Sequence, residues 1–432
     1  MDSIWTKTSK NKNFKELQGD IKTDVLIIGG GIAGMLCCYM LKKVGIDCAL
    51  VEAKQICSGI TKDTTAKITV QHGLIYEKLA HRYGDENAYL YYKAQNEALE
   101  YYKKLCVNCD CDFEIMDSYV YSQNNRFKLE KEMKVLERIG CKADFAEKTE
   151  LPFSVSSAVR FLDQAQFHPL KFAFWLAQDL PIYENTKVLE ILPNGAVTNR
   201  GRVKAEKIIV ATHFPFINKH GGYFLKMYQH RSYEIALKNA PRIDGMYVDE
   251  DIRGMSFREY GGLLLLGGGS HRTGKKGGNW RELRSFAAKN FSESREMCSW
   301  ATQDCMTLDG MAYIGLYSKN TPNMYVATGF NKWGMTSSMV SAMILTDLVR
   351  EKENEYTSLF SPQRSMYKPQ LMVNMYESAA GLLCPTVPRC PHMKCALKYN
   401  PQERSWDCSC HGSRFEESGR LIDNPATDDK KR

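Results

Sequence analysis

The chain has 432 residues, enough for two or three domains at ~150 residues each. Its 44% hydrophobic and 25% charged residues are those of an ordinary globular protein, which excludes a disordered, collagenous or coiled-coil chain. A net charge of +8 is too mild at this length to require nucleic acid.

Fifteen cysteines are the unusual feature of the composition. Seven lie between Cys37 and Cys111, three stand apart at Cys141, Cys298 and Cys305, and five crowd between Cys384 and Cys410. An odd number spread in this way is not a secreted disulfide framework. The polar N-terminus has no apolar signal region, and the longest uncharged run, Val25 to Leu41, is glycine-split and short for a membrane span. A cytoplasmic, reducing location without a transmembrane segment is expected, and there a cysteine cluster points to metal or redox chemistry.

The first element is the apolar run 24–28, which reads as a buried parallel strand. It enters Gly29-Gly-Gly31-Ile-Ala-Gly34 and then an apolar helix to Leu41, with Gly45 as its C-cap. A second strand, 48–52, ends on Glu52 at the spacing of a dinucleotide fingerprint. In that fingerprint Gly29 serves the tight turn, Gly31 lets backbone approach a pyrophosphate, and Gly34 allows close helix–strand packing. The helix N-terminus faces phosphate, and Glu52 can accept from a ribose hydroxyl. Glu52 alone does not separate FAD from NAD.

Farther along, Tyr89, Tyr92, Leu99 and Tyr102 recur near helical spacing, as do Leu129, Met133 and Leu136 before Gly140. Cys106, Cys109 and Cys111 have no partner cluster downstream and read as structural thiols. Gly261 to Gly269 reads as a hairpin strand and turn, not a second nucleotide fold. Around it Arg258, His271, Arg272 and Lys275 form a cationic rim. Arg258 is the candidate for holding a substrate carboxylate bidentately, and His271 the candidate base.

Two late blocks complete the pattern. Residues 300–315 carry Asp304 and Asp309; residues 323–336 read as a strand ending at Gly329 and a helix beginning near Thr336. These blocks, with Ser58 to Gly73 and the fingerprint, resemble the glycine/D-amino-acid-oxidase-like FAD-dependent oxidoreductases, and more narrowly the branch with a C-terminal Rieske domain. The resemblance implies an α/β fold with an α+β insertion: a Rossmann-like FAD-binding domain, an inserted substrate domain and a small C-terminal Rieske-like β domain. It implies FAD-binding parts at 1–80, 151–215 and 299–350, a helical segment at 81–150, a substrate sheet at 216–298, a linker at 351–383 and a shortened Rieske-like domain at 384–432. It places Thr64, Thr65 and Lys67 near pyrophosphate or ring and Val188 beside adenine. It brings Gly329, Phe330, Trp333, Gly334, Met335 and Thr336 to the flavin, where the helix dipole favours the reduced ring.

The tail carries Cys390-Pro-His392 and, after fifteen intervening residues, Cys408-Ser-Cys410-His411. CxH followed by CxxH is the ligand pattern of a Rieske [2Fe–2S] cluster, two thiolates on one iron and two imidazoles on the other. Zinc accepts the same donors, but a finger would not place CxH first. The resemblance also makes Cys395 and Cys410 the extra pair that bridges the cluster loops in one Rieske class. Ser413 can donate to a cluster sulfur, and Phe415 stands where high-potential relatives have tyrosine, which predicts a lower potential. Leu383 to Pro388 is a poor substitute for the usual base strands, so the tail is expected to dock on the flavoprotein body; Asp428 to Arg432 is a polar end.

The leading expectation is oxidation of a C–N bond of a small amine or amino acid by hydride transfer to flavin. Electrons then pass through the cluster to an external acceptor, a dehydrogenase more than an oxidase. Two rivals stay open: a flavin/iron–sulfur carrier fed by NAD(P)H or another donor, and a redox-responsive binding protein with a structural metal tail.

Overall fold

The computed structural model describes residues 2–10, 12–385 and 388–430, whose strands form three sheets. The first grows from the N-terminal apolar run. In strand Ile21–Ile28, Val25 and Ile27 enter the core beneath helix Ile32–Lys43, while Leu26 and Ile28 enter a second core with Val203, Val210 and Phe214. A strand apolar on both faces needs cover on both, which a parallel sheet supplies. Its parallel neighbours are Cys48–Val51 and Arg202–Val210; Ile182–Tyr183 and Met324–Thr328 extend the sheet, and Tyr313–Leu316 closes one edge antiparallel. Three distant stretches of chain therefore build one nucleotide sheet.

The fingerprint glycines are fixed by contact. Gly29 sits at φ +113°, and a Cβ there would lie 2.5 Å from the Ala211 carbonyl oxygen. A Cβ on Gly34 would lie 2.0 Å from the Gly29 oxygen, so only glycine lets the helix approach its strand.

The second sheet has nine strands, in the order Arg295–Thr307, Met227–Lys238, Leu263–Arg272, Ser256–Tyr260, Met246–Asp249, Glu114–Ser122, Ser157–Gln166 and Lys67–Ile68, with Asp144–Ala146 on Ser157–Gln166. The hairpin expected at Gly261 turns there, with Gly261 and Gly262 both at positive φ, as a two-residue turn matching strand twist requires. Three strands depart from the sequence boundaries. Lys67–Ile68, Ser157–Gln166 and Arg295–Thr307, wholly or partly assigned to FAD-binding parts, pair in this second sheet. An apolar strand carries no local mark of the sheet it joins; its partners decide.

The third sheet is the antiparallel ladder Leu397–Asn400, Ser405–Cys408, Arg414–Glu416 and Leu421–Asp423. The segment 351–383, expected as a linker, contains helix Pro369–Leu383, which packs directly on this tail. Gly381 makes the approach close enough that a Cβ would meet the Cys410 sulfur at 2.5 Å, and its carbonyl accepts from the Ala396 N–H at 2.9 Å. Of Leu383 to Pro388, Thr386 and Val387 lie outside the described residues, as do Lys431 and Arg432 of the polar end. Among the described residues no helix is long and apolar enough to cross a membrane.

The tail is bolted to the second sheet by buried charge. Glu403 accepts from Arg231 Nε (3.1 Å) and Nη2, from Arg414 Nη2 (2.7 Å) and from the Tyr233 hydroxyl (2.9 Å). Arg414 also pairs with Asp407 and Asp423. Although burial opposes ionisation, the two guanidiniums hold the Glu403 carboxyl down to about 2.

Candidate active site and cluster site

A cavity of about 1230 Å³ opens where the strands of the nucleotide sheet end, the place where open α/β sheets bind ligands. Gly29, Gly31 and Glu52 line it at one side, Val188 with them. The Glu52 carboxylate accepts from the backbone N–H of Gly30 (2.7 Å) and Lys54 (2.9 Å), so it braces the glycine turn from the cavity wall. Thr64, Thr65 and Lys67 follow, and Trp5 holds this loop by donating to the Thr64 carbonyl at 2.6 Å.

Phe330, Trp333, Gly334 and Met335 line the same cavity at the start of helix Gly334–Val349. Gly329 and Thr336 stand behind them: Gly329 turns the chain at φ +69°, and the Thr336 hydroxyl meets His72 Nε2 at 3.0 Å. Gly34 likewise lies beneath the surface. The imidazole of His72 stacks on Trp333 with centroids 4.9 Å apart and meets the Tyr91 hydroxyl at 2.6 Å. Asn331 and Lys332 both adopt positive φ, a left-handed pair that folds the turn back sharply and holds Lys332 against the second sheet.

The remaining wall is the cavity face of the second sheet, and it is charged. Lys332 Nζ donates to Ser270 Oγ (2.7 Å) and Ser232 Oγ (3.1 Å). Lys67, Glu234 and Asp304 share this wall with it. Glu234 is buried, and its Oε2 has no hydrogen-bond partner among the described residues. Burial pushes the Glu234 carboxyl up, opposed by Lys67 and Lys332, and pushes Asp304 up to about 6. Burial pulls both lysines down, while Glu234 supports both and Asp304 supports Lys332. Lys67 was expected near the cofactor, whereas Glu234, Asp304 and Lys332 are the site residues sequence reasoning missed. The signal for the two acids was polar residues at alternate positions, Ser232 and Glu234 in one strand and Thr302 and Asp304 in its neighbour.

Arg258 and His271, the expected carboxylate holder and base, are not on the cavity wall. The Arg258 guanidinium is buried, donating to the backbone carbonyls of Thr65, Ala66 (3.1 Å) and Phe167 over the Trp5 ring. It organises the loop behind Lys67 and has no fork left for a ligand. His271 stacks on Tyr233, and its Nδ1 meets the Gly269 carbonyl at 3.2 Å. The rest of the cationic rim grips the tail instead: Arg272 donates to the Ser409 and Cys410 carbonyls, both at 3.0 Å, and Lys275 pairs with Glu377 at 2.7 Å.

The tail sets its four expected ligands in two pairs. The sulfur of Cys390 adjoins that of Cys408, and the imidazoles of His392 and His411 meet edge to face at 5.0 Å. Nδ1 of His392 and both ring nitrogens of His411 are buried without hydrogen-bond partners among the described residues, while His392 Nε2 is held by Asn218 at 2.9 Å. Burial holds the rings neutral, lowering His392 to about 4 and His411 to about 3. Neutral imidazole nitrogens left open beside two thiols are the donors a two-iron cluster requires. The sulfurs of Cys395, Cys408 and Cys410 lie within 4.8 Å of one another, so the second cysteine pair sits at the same place. Ser413 lies in hydrogen-bond reach of the Cys390 sulfur, and Phe415 packs among the cysteines.

Comparison with known proteins agrees with this anatomy. Residues 24–348 match the model of the FAD dependent oxidoreductase family, and residues 361–431 match that of the Rieske [2Fe-2S] domain. The Rieske match thus starts ahead of residue 384 and takes in helix Pro369–Leu383. A relative from Bacillus subtilis (strain 168), YhfW, described by name as a Rieske 2Fe-2S iron-sulfur protein, is 33% identical over 98% of this chain and 96% of its own. Glycine oxidase from Geobacillus kaustophilus superposes with a TM-score of 0.68 at 19% identity, over 80% of this chain and 99% of that one. L-proline dehydrogenase from P. horikoshii gives 0.68 at 17%, over 81% and 98%. The chain therefore belongs to the glycine/D-amino-acid-oxidase-like FAD-dependent oxidoreductases, in the branch ending in a Rieske domain, with FAD and a [2Fe–2S] cluster as cofactors.

Proposed function

We propose that the protein oxidises the C–N bond of a small amino acid or amine and passes the electrons through its tail to an external acceptor. One observation carries the reading: the unpartnered, buried carboxylate oxygen of Glu234, set with Asp304 among Lys67 and Lys332 on the wall of the FAD cavity. A cavity wall holding two acids and two bases suits a ligand that carries both an ammonium and a carboxylate. The solved structures of similar fold include an oxidase of glycine and a dehydrogenase of L-proline by name, which supports the amino-acid class.

In this reading Lys67 and Lys332 orient the substrate carboxylate, and Glu234 accepts the substrate ammonium. Its raised carboxyl exchanges protons near neutrality, so it takes the N–H proton that must leave before the carbon–nitrogen bond can become an imine. Bound in this cavity beside Gly29, Gly31 and Glu52, FAD would supply a hydride acceptor, and a [2Fe–2S] cluster held by Cys390, His392, Cys408 and His411 would supply a one-electron carrier. Water then hydrolyses the imine. The tail wall, through Glu403 and Arg414, closes one side of the cavity and limits solvent entry. Outward transfer through the tail is the reason to favour dehydrogenase over oxidase behaviour.

The test is anaerobic mixing of purified holoprotein with a panel of amino acids and amines, followed at the flavin and cluster absorbances. Bleaching of flavin followed by the cluster is expected. Bleaching by NADH alone, with every amine inert, would overturn the reading.

A further inference from the structure

Helix Pro369–Leu383 is built inside out. Its inward stripe is polar, with Asn374 only 2% exposed and Glu377 9%. Asn374 bonds the Leu225 carbonyl and Arg272, Glu377 pairs with Lys275, and Gly381 packs on Cys410. The outward face is apolar: Met372, Val373, Met375, Tyr376, Leu382 and Leu383 are all exposed, Tyr376 to 70% and Leu383 to 83%. A contiguous apolar face of this kind marks a binding surface, and scattered surface leucines do not.

The charge around the face selects the occupant. Between Glu355 and Glu403 the chain carries five basic residues and one acid; the acid, Glu377, is turned inward onto Lys275 and Arg364 is buried against Asp309, which leaves Lys368, Arg389, Lys394 and Lys398 as the cations of this stretch. Lys276, Lys394 and Lys398 are exposed beside the helix and the ladder it packs on. Two copies of this face would bring like charges together, so self-association is disfavoured. An apolar helix face ringed by cations is the form that lies in the plane of an anionic lipid surface, apolar side chains in the acyl boundary and cations at the headgroups.

We propose that this helix docks the protein peripherally on an anionic membrane surface, presenting the cluster side of the tail to the bilayer. The helix has 15 residues and lies on the membrane without crossing it.

Flotation of the holoprotein with vesicles of phosphatidylcholine containing one-third phosphatidylglycerol tests this, beside pure phosphatidylcholine vesicles. The expected result is flotation with the anionic vesicles that weakens as salt is raised and falls at least tenfold in the Tyr376→Asp/Leu383→Asp variant. Both positions are exposed, and unchanged flavin and cluster absorbance in the variant verifies its fold. No flotation with either vesicle, or flotation equal in the variant, overturns the proposal. So does a dimer in sedimentation that the variant dissociates, since a second copy would then cover the face.

Discussion

The Gln229 side-chain amide donates to the backbone carbonyl of His411, a cluster-ligand position, at 2.8 Å. The same nitrogen reaches the Asn424 carbonyl at 2.8 Å, and Gln303 Nε2 donates to the Gly412 carbonyl at 2.9 Å and to Gln229 Oε1 at 2.8 Å. Thr273 completes the chain by donating to Gln303 Oε1 at 3.0 Å. Both glutamines stand on strands of the second sheet, two residues from Arg231 in one case and one from Asp304 in the other. The loop that carries a cluster ligand is thus hung from the sheet that forms the cavity wall.

Replacing Gln303 by leucine leaves the Gly412 carbonyl and the Gln229 amide buried and short of a partner. Each such group costs about 1–3 kcal/mol. The expected outcome is faster loss of iron from the purified protein at elevated temperature, with flavin retained, followed by cluster absorbance against time. Iron retention equal to the parent protein would show that the network does not hold the loop.

Glu403 predicts an acid-labile junction. Its folded carboxyl sits at about 2 against an ordinary 4.5, so the folded protein binds fewer protons there than the unfolded chain between those values. The stabilisation is therefore complete above about pH 4.5 and is lost as the pH falls toward 2, on the order of 3 kcal/mol in all. Glu403→Gln should remove it at neutral pH and leave Arg231 and Arg414 facing a neutral amide, a cost of about 3–5 kcal/mol. Limited proteolysis at pH 7 checks this: the variant's tail should be cleaved faster while the flavin-binding body survives.

What the sequence made legible was local. Gly29, Gly31, Gly34 and Glu52 sit within one strand–turn–helix–strand unit, and Cys390, His392, Cys408 and His411 within two short loops, so spacing alone aligned them. Arg258 and His271 lie off the cavity wall, and the direction a strand residue faces depends on strand pairing, which a single sequence does not mark. For His271, the register between strands Met227–Lys238 and Leu263–Arg272 shifts between Arg231 and Tyr233, and one residue of shift exchanges the two faces; Arg258, on the regularly paired strand Ser256–Tyr260, is instead turned onto the Thr65, Ala66 and Phe167 carbonyls. Helix Pro369–Leu383 was read as a connection because its polarity is reversed: the usual apolar stripe toward the body is replaced by Asn374, Glu377 and Gly381.

The charged cavity wall makes a separable kinetic prediction. Glu234→Gln keeps size and removes the proton acceptor, so anaerobic flavin reduction by the best substrate should slow by roughly 100-fold. Lys67→Met should instead raise the substrate concentration needed for half-maximal reduction by about tenfold or more, with a smaller effect on the limiting rate. Stopped-flow reduction traces over a range of substrate concentration distinguish the two. Equal effects of both substitutions on both parameters would mean that the lysine and the carboxylate act only as a structural pair.

Phe415 provides a readout at the cluster that does not depend on the substrate. It lies fully buried among Cys390, Cys395, Cys408 and Cys410, in a strand paired with Trp406. Its ring fills that space without offering a donor, which a hydroxyl added at the ring would supply within the same buried cluster. Hydrogen bonds to sulfur stabilise the added electron, so each one raises the reduction potential. Phe415→Tyr should therefore raise the cluster midpoint by tens of millivolts, measured by redox titration of the reduced-cluster EPR signal, and leave the flavin absorbance unchanged. A midpoint equal to the parent's would show that the new hydroxyl finds another partner and that Phe415 does not set the potential.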